Sequence, residues 1–113
     1  MTTQQIEVLA RFDGWKKMQG GYRKMKTVFN KALDEEIEVP EDRRDETIWK
    51  YFTSPGVLIE MRIMLGKKIL VLPEPFKRRQ LMEMIMSIGE DILLKDYTAA
   101  AIKTSEIIQK LEA

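Results

Sequence analysis

The 113-residue chain contains no cysteine and no histidine. Without cysteine there is no disulfide, no thiol nucleophile, and no thiolate-bound zinc or iron–sulfur cluster. Without histidine the commonest general base, the commonest transition-metal ligand and every Ser–His–Asp arrangement are excluded. Long apolar runs are also missing: stretches such as Val57 to Ile59 and Ile69 to Leu72 fall far short of the ~20 residues that a membrane span requires. The opening Met-Thr-Thr-Gln-Gln-Ile-Glu-Val has no basic region followed by an apolar one, so it does not read as a secretory signal. Glycine is scarce where binding loops would need it. Gly20-Gly21 is not followed by the spacing of either phosphate-binding fingerprint. No glycine lies between Gly21 and Gly56, so the acidic stretch inside that interval cannot form a glycine-turned calcium loop. The chemistry that remains would rest on carboxylates, Lys, Arg, Tyr and Ser/Thr, and none of these forms a well-spaced constellation. No cofactor and no metal site is expected.

Charge of one sign is not in excess either: 19 basic residues face 18 acidic ones. The balance hides segregation. Arg11 to Lys31 holds seven bases and one acid, whereas Asp34 to Glu46 holds eight acids and two bases. Adjacent blocks of opposite sign are expected to compensate each other across a hairpin or loop. A hydrophobic fraction of 44% with 33% charged residues suits one soluble α+β domain spanning residues 1–113, and a cytoplasmic location.

Thr2 and Gln5 can form a capping box for a first helix, with Ile6, Leu9, Ala10 and Phe12 as its apolar stripe and Gly14 as its stop. Tyr22 to Phe29 alternates and reads as a half-buried strand. Glu36 to Val39, closed by Pro40, reads as an edge strand, and Glu41 to Glu46 as a loop. Thr47 to Thr53, rich in β-formers, reads as a third strand. Ser54-Pro55 starts a helix expected to end at Gly66. Lys67 to Leu72 reads as a strand before Pro73-Glu74-Pro75. Phe76 to Ile88 favours helix by composition, although Met82, Met84, Met86 and Ile88 also alternate as in a strand; Gly89 is expected to break it. Asp96 caps a last helix with Tyr97, Ala101, Thr104, Ile108 and Leu111 inside. The architecture expected is a small antiparallel or mixed sheet of three to four strands covered by three to four helices. Of Trp15, Trp49, Tyr51 and Phe52, at most one or two should be exposed.

Leu9-Ala10-Arg11-Phe12-Asp13-Gly14-Trp15-Lys16 resembles the "IARFMGWK" opening of small proteins of phages and of phage-like elements in gut Bacteroidetes. Tyr51-Phe52-Thr53-Ser54-Pro55-Gly56-Val57-Leu58-Ile59 resembles their "Y-H-T-S-x-x-x-L-M" segment. Asp13 stands where that group has Met, and Phe52 where it often has His. The resemblance, to the phage α-β-α sandwich group, implies an N-terminal helix ending at Gly14, a Trp15 packed under the sheet, and a strand entering the central helix through Ser54. It implies a fold and a mobile-element origin rather than an activity.

Three functional readings follow. The first is a non-enzymatic module that binds another protein, or a second copy of itself, through Met82, Met84 and Met86, methionine being an adaptable contact residue. The second is a nucleic-acid-binding module using Tyr22, Arg23, Lys24 and Lys26 together with Lys77, Arg78 and Arg79, since cations neutralise phosphates and an aromatic ring can stack on a base. The third is a histidine-free ribonuclease in which Lys, Arg and Tyr stabilise an in-line attack. No membrane partner is expected.

Overall fold

The computed structural model describes all 113 residues. Helix α1 (Thr3–Phe12) opens with the expected capping box: Thr2 Oγ1 accepts from the Gln5 N–H at 3.1 Å, and Gln5 Oε1 from the Thr2 N–H at 2.9 Å. Asp13 ends the helix, and Gly14, at φ +86°, turns the chain as only glycine does cheaply. Three strands follow, β1 (Lys16–Met18), β2 (Gly21–Asn30) and β3 (Glu35–Arg44), as an antiparallel sheet of order β1-β2-β3. Strand β2 contains the alternating segment Tyr22 to Phe29. Strand β1 is three exposed residues with no pattern of its own, and exists by pairing with Gly21 to Arg23.

The expected loop at Glu41 to Glu46 is instead strand as far as Arg44. Strand β3 runs straight through Pro40, which is tolerated because β3 lies at the sheet edge and needs no N–H there. The extension is held by charge. Arg23 lies opposite Asp42 and donates to it twice, at 2.7 and 3.0 Å, while Lys17 reaches Asp45. The basic and acidic blocks therefore compensate within one chain, across a hairpin. Its turn is set by Asn30 Oδ1, which accepts from the N–H groups of Ala32 and Leu33, and by Asp34 at φ +51°.

The strand expected at Thr47 to Thr53 is a short helix, α2 (Ile48–Phe52). Its β-forming residues serve a different period: Ile48 and Phe52 lie four apart, one above the other on a helix face, and both are fully buried. Helix α3 (Pro55–Leu70) likewise absorbs most of the strand expected at Lys67 to Leu72 and passes through Gly66 without a break. Leu58, Met61, Leu65 and Ile69 keep one buried stripe along its length, so packing overrides the local signal. Ser54 holds the N-cap position by backbone geometry alone, with no side-chain bond. Helix α4 (Pro75–Leu93) resolves the ambiguity at Phe76 to Ile88 as helix and continues past Gly89. Helix α5 (Tyr97–Glu112) starts at Asp96, whose carboxylate accepts from the Ala99 N–H. The fold is α+β, with a three-stranded antiparallel sheet as expected and five helices rather than three to four.

Helices α1, α3, α4 and α5 pack around one core that includes Leu9, Phe52, Leu58, Leu65, Ile88 and Ile107. Trp15 and Tyr22 join the sheet to it. Trp15 and Phe52 are buried, Tyr51 is half-buried and Trp49 is exposed. Beyond Lys24 the β2–β3 ribbon leaves the body, and Val28, Ile37 and Val39 do not pack on the core. The molecule is correspondingly elongated, 50 × 31 × 28 Å. No helix is long and apolar enough to cross a membrane.

Candidate functional site

Each of α3 and α4 carries a second apolar stripe, roughly a third of a turn away from its buried one by helical geometry. On α3 it is Ile59, Ile63, Gly66 and Leu70; on α4 it is Met82, Met86, Gly89 and Leu93, with the same spacing of four, three and four residues. The helices run antiparallel, and Ile59, at the start of the α3 stripe, meets Met86, Gly89 and Leu93 of the α4 stripe at an open groove of ≈ 430 Å³ that Arg62 and Glu90 also line. The stripe is not a core surface. Ile63 is 52% exposed, Met86 65% and Leu93 82%. So much contiguous apolar surface on one face marks a contact site rather than scatter.

Arg62 forms the floor of the groove. Its Nε donates to the Ile85 carbonyl at 3.1 Å, and its guanidinium lies over Gly89, where an added Cβ would sit 3.1 Å from Nη2. The absence of a side chain at position 89 leaves room for this cation. No carboxylate pairs with Arg62, and Glu90, on the groove wall, pairs with no cation. Gly66 is different. A Cβ there would meet nothing within 4 Å. Glycine in a helix interior costs ~1 kcal/mol relative to Ala, and no contact inside the chain accounts for it.

The three methionines singled out in the sequence do not form one surface. Met86 lines the groove; Met82, four residues earlier on the same face, is half-buried against the core, as is Met84, which points about 200° away from each by helical geometry. Among the basic residues, Tyr22 is buried, with burial also raising its pKa, Arg23 is tied to Asp42, and Lys24 is tied to Asp13 at 3.3 Å; Lys26 is exposed. Tyr22, Lys24 and Lys26 face one side of the ribbon and Arg23 the other. Lys77 donates to the Ala113 backbone oxygen and Arg78 to the Leu72 carbonyl just past α3, while Arg79 is exposed. No three acidic side chains converge to hold a metal ion.

Sequence reasoning missed the most connected polar group. The Asp13 carboxylate is only 10% exposed; one oxygen accepts from Trp15 Nε1 at 2.9 Å and from the Tyr51 hydroxyl at 3.2 Å, and the other faces Lys24. It ties the end of α1 to the residue before β1, to β2 and to α2. Burial, then the Asp13 charge, push the Tyr51 hydroxyl up to about 12, because both disfavour a phenolate. Arg43 stacks over the other side of this network, 5.1 Å from the Tyr51 ring centre. The Tyr51 hydroxyl holds its proton firmly and the cluster lies under the sheet, which suits a structural joint rather than proton transfer.

Comparison with family models, with characterised proteins and with solved structures returned no match. The functional reading therefore stands on the geometry of the α3/α4 face.

Proposed function

We propose that the protein is a protein-association module whose α3/α4 face docks on the same face of a second copy. The observation that carries this reading is the pair of exposed stripes with identical spacing, meeting at a groove that contains one unpaired cation and one unpaired anion. A two-fold contact is isologous: residue i meets residue j, and j meets i. Arg62 of each copy then meets Glu90 of the other, and both charges find the partner that the single chain denies them. Two antiparallel helix pairs stacked this way form a four-helix arrangement. Gly66 supports the same geometry, since a bare backbone on an outer helix face allows a facing helix to approach closely.

The test is sedimentation equilibrium at micromolar concentration, with charge-reversed variants. Arg62→Glu and Glu90→Arg each weaken association, and the double variant recovers much of it, because the swap restores opposite charges across the two-fold. Equal weakening in the single and double variants, or no association at all through this face, refutes the reading. Circular dichroism confirms the fold of each variant, as Arg62 also bonds the Ile85 carbonyl.

A further inference from the structure

The projecting half of the β2–β3 ribbon poses a separate problem. Two strands alone are marginally stable in water, yet this ribbon carries apolar residues on both faces. Met25 and Phe29 are on the outer face, and Val28, Ile37 and Val39 on the inner, with no helix covering either. Phe29, near the tip, is 58% exposed.

The outer face is also polarised along its length. At its base it presents Lys16, Arg23 and Arg44 against the single acid Asp42. Near its tip it presents Glu36, directly opposite Phe29, and Glu38 next along, with no cation paired to either. The base also holds a recess of ≈ 370 Å³, lined by Met18, Gly21, Arg23 and Arg44 among others. One end of the face thus has an aromatic plug flanked by carboxylates, and the other an open recess flanked by guanidinium groups.

We propose that this outer face is a second contact between copies of the chain, in which two ribbons stack antiparallel about a two-fold through the Met25–Pro40 pair. The register decides which residues meet. Four residues toward the tip from Met25 is Phe29, and four toward the base is Gly21, whose cross-strand neighbours are Met18 and Arg44. Phe29 of one copy therefore enters the recess of the other. Glu36, four from Pro40, meets Arg44 of the second copy; Glu38, two from Pro40, falls over Asp42, whose charge Arg23 already neutralises. The match is self-complementary, so a second copy satisfies it twice. It covers the exposed rings and pairs Glu36 with Arg44 at both ends, which a contact with an unrelated acidic or basic surface would do at one end only.

This contact is independent of the α3/α4 face, and a chain with both grows beyond a dimer, either to a closed tetramer or to an open filament. Four proteins separate the two by sedimentation. The unaltered chain exceeds the mass of a dimer. Met86→Glu removes the helical contact and leaves a ribbon dimer. Phe29→Glu removes the ribbon contact and leaves a helical dimer. The double variant is a monomer. Phe29 does not pack on the core, so its replacement leaves the body folded. Its loss from the ribbon dimer weakens association by about 30-fold or more, the effect of removing an aromatic hot spot that the two-fold repeats. The swap Glu36→Arg with Arg44→Glu, made on the Met86→Glu background, retains the dimer that either change alone weakens. A Met86→Glu protein that is strictly monomeric while Phe29→Glu still dimerises overturns the ribbon contact alone. A Phe29→Glu monomer beside a Met86→Glu dimer overturns the helical contact alone.

Discussion

Replacing Asp13 with Ala tests how the body and the sheet are joined. The substitution removes an acceptor from two donors, Trp15 Nε1 at 2.9 Å and the Tyr51 hydroxyl at 3.2 Å, and the counter-charge from Lys24. Trp15 is only 5% exposed, so its indole N–H is left without water. Leaving one buried donor unmet costs about 1–3 kcal/mol. The Tyr51 hydroxyl, in a half-buried residue, turns toward solvent and loses less, about 1 kcal/mol. The Lys24 pair is partly exposed and adds at most about 0.5 kcal/mol. The total is about 3 kcal/mol, a large share of the stability of a domain this size. Urea unfolding followed by tryptophan fluorescence measures it, and the midpoint drops by about 2 M for an m-value near 1.5 kcal/mol/M. Asp13→Asn keeps one acceptor oxygen and loses about half as much. Tyr51→Phe combined with Asp13→Ala is less than additive, since both remove the same bond. A loss below about 0.5 kcal/mol for Asp13→Ala would refute the view that this carboxylate joins α1, the sheet and α2.

Two glycines on equivalent helix stripes should respond differently. Gly66→Ala raises the monomer's unfolding free energy by about 1 kcal/mol, because nothing obstructs a Cβ there, yet it weakens self-association; Gly89→Ala gains less, because its Cβ presses on the Arg62 guanidinium. Equal stabilisation in thermal unfolding would contradict the seat assigned to Arg62. Gly21→Ala destabilises the sheet by more than about 1 kcal/mol, since a Cβ would overlap the Arg43 carbonyl oxygen, and amide exchange in β2 and β3 reports it. Stability falls as pH rises from about 10 toward about 12, because the Tyr51 hydroxyl keeps its proton in the folded state to about 12 and in the unfolded state only to the ordinary tyrosine value of 10.0. The Tyr51 contribution is thus complete below pH 10 and lost above it. Phenolate absorbance tracks the titration, and a Tyr51 that ionises together with exposed tyrosines would contradict the burial argument.

The parts of the fold legible in the sequence are those in which a local signal and the tertiary environment agree. Thr2 with Gln5, Gly14, Ser54-Pro55 and Asp96 mark helix ends, and the alternation of Tyr22 to Phe29 marks a strand, because each pattern is satisfied by its own neighbourhood. The errors fall where tertiary packing overrules such signals. Ile48, Trp49, Tyr51 and Phe52 favour strand by composition, but burying Ile48 and Phe52 together requires helical spacing. Gly66 and Gly89 look like stops, yet an outer helix face can hold a glycine that serves a neighbour, Arg62 in one case and, on the reading above, a facing helix in the other. Pro40 closes a strand in isolation but not at a sheet edge held by the Arg23–Asp42 pair. Of the candidate face, Met82 and Met86 stood out in the sequence, and Met86 is the one that lines the groove. Ile59, Ile63 and Leu93 were hidden, because an apolar residue on a helix reads equally as core until its neighbours are placed. The signal that could have found them is the repeated four-three-four spacing on two successive helices. The Asp13 network offered no such signal, since its partners lie just before β1, on β2 and on α2.

The central claim is that the α3/α4 face holds two copies of the chain together. Sedimentation equilibrium on the Phe29→Glu protein isolates that face from the ribbon. The account predicts a dimer at micromolar concentration that Met86→Glu converts to a monomer. A Phe29→Glu protein that is folded and monomeric throughout that range would contradict it.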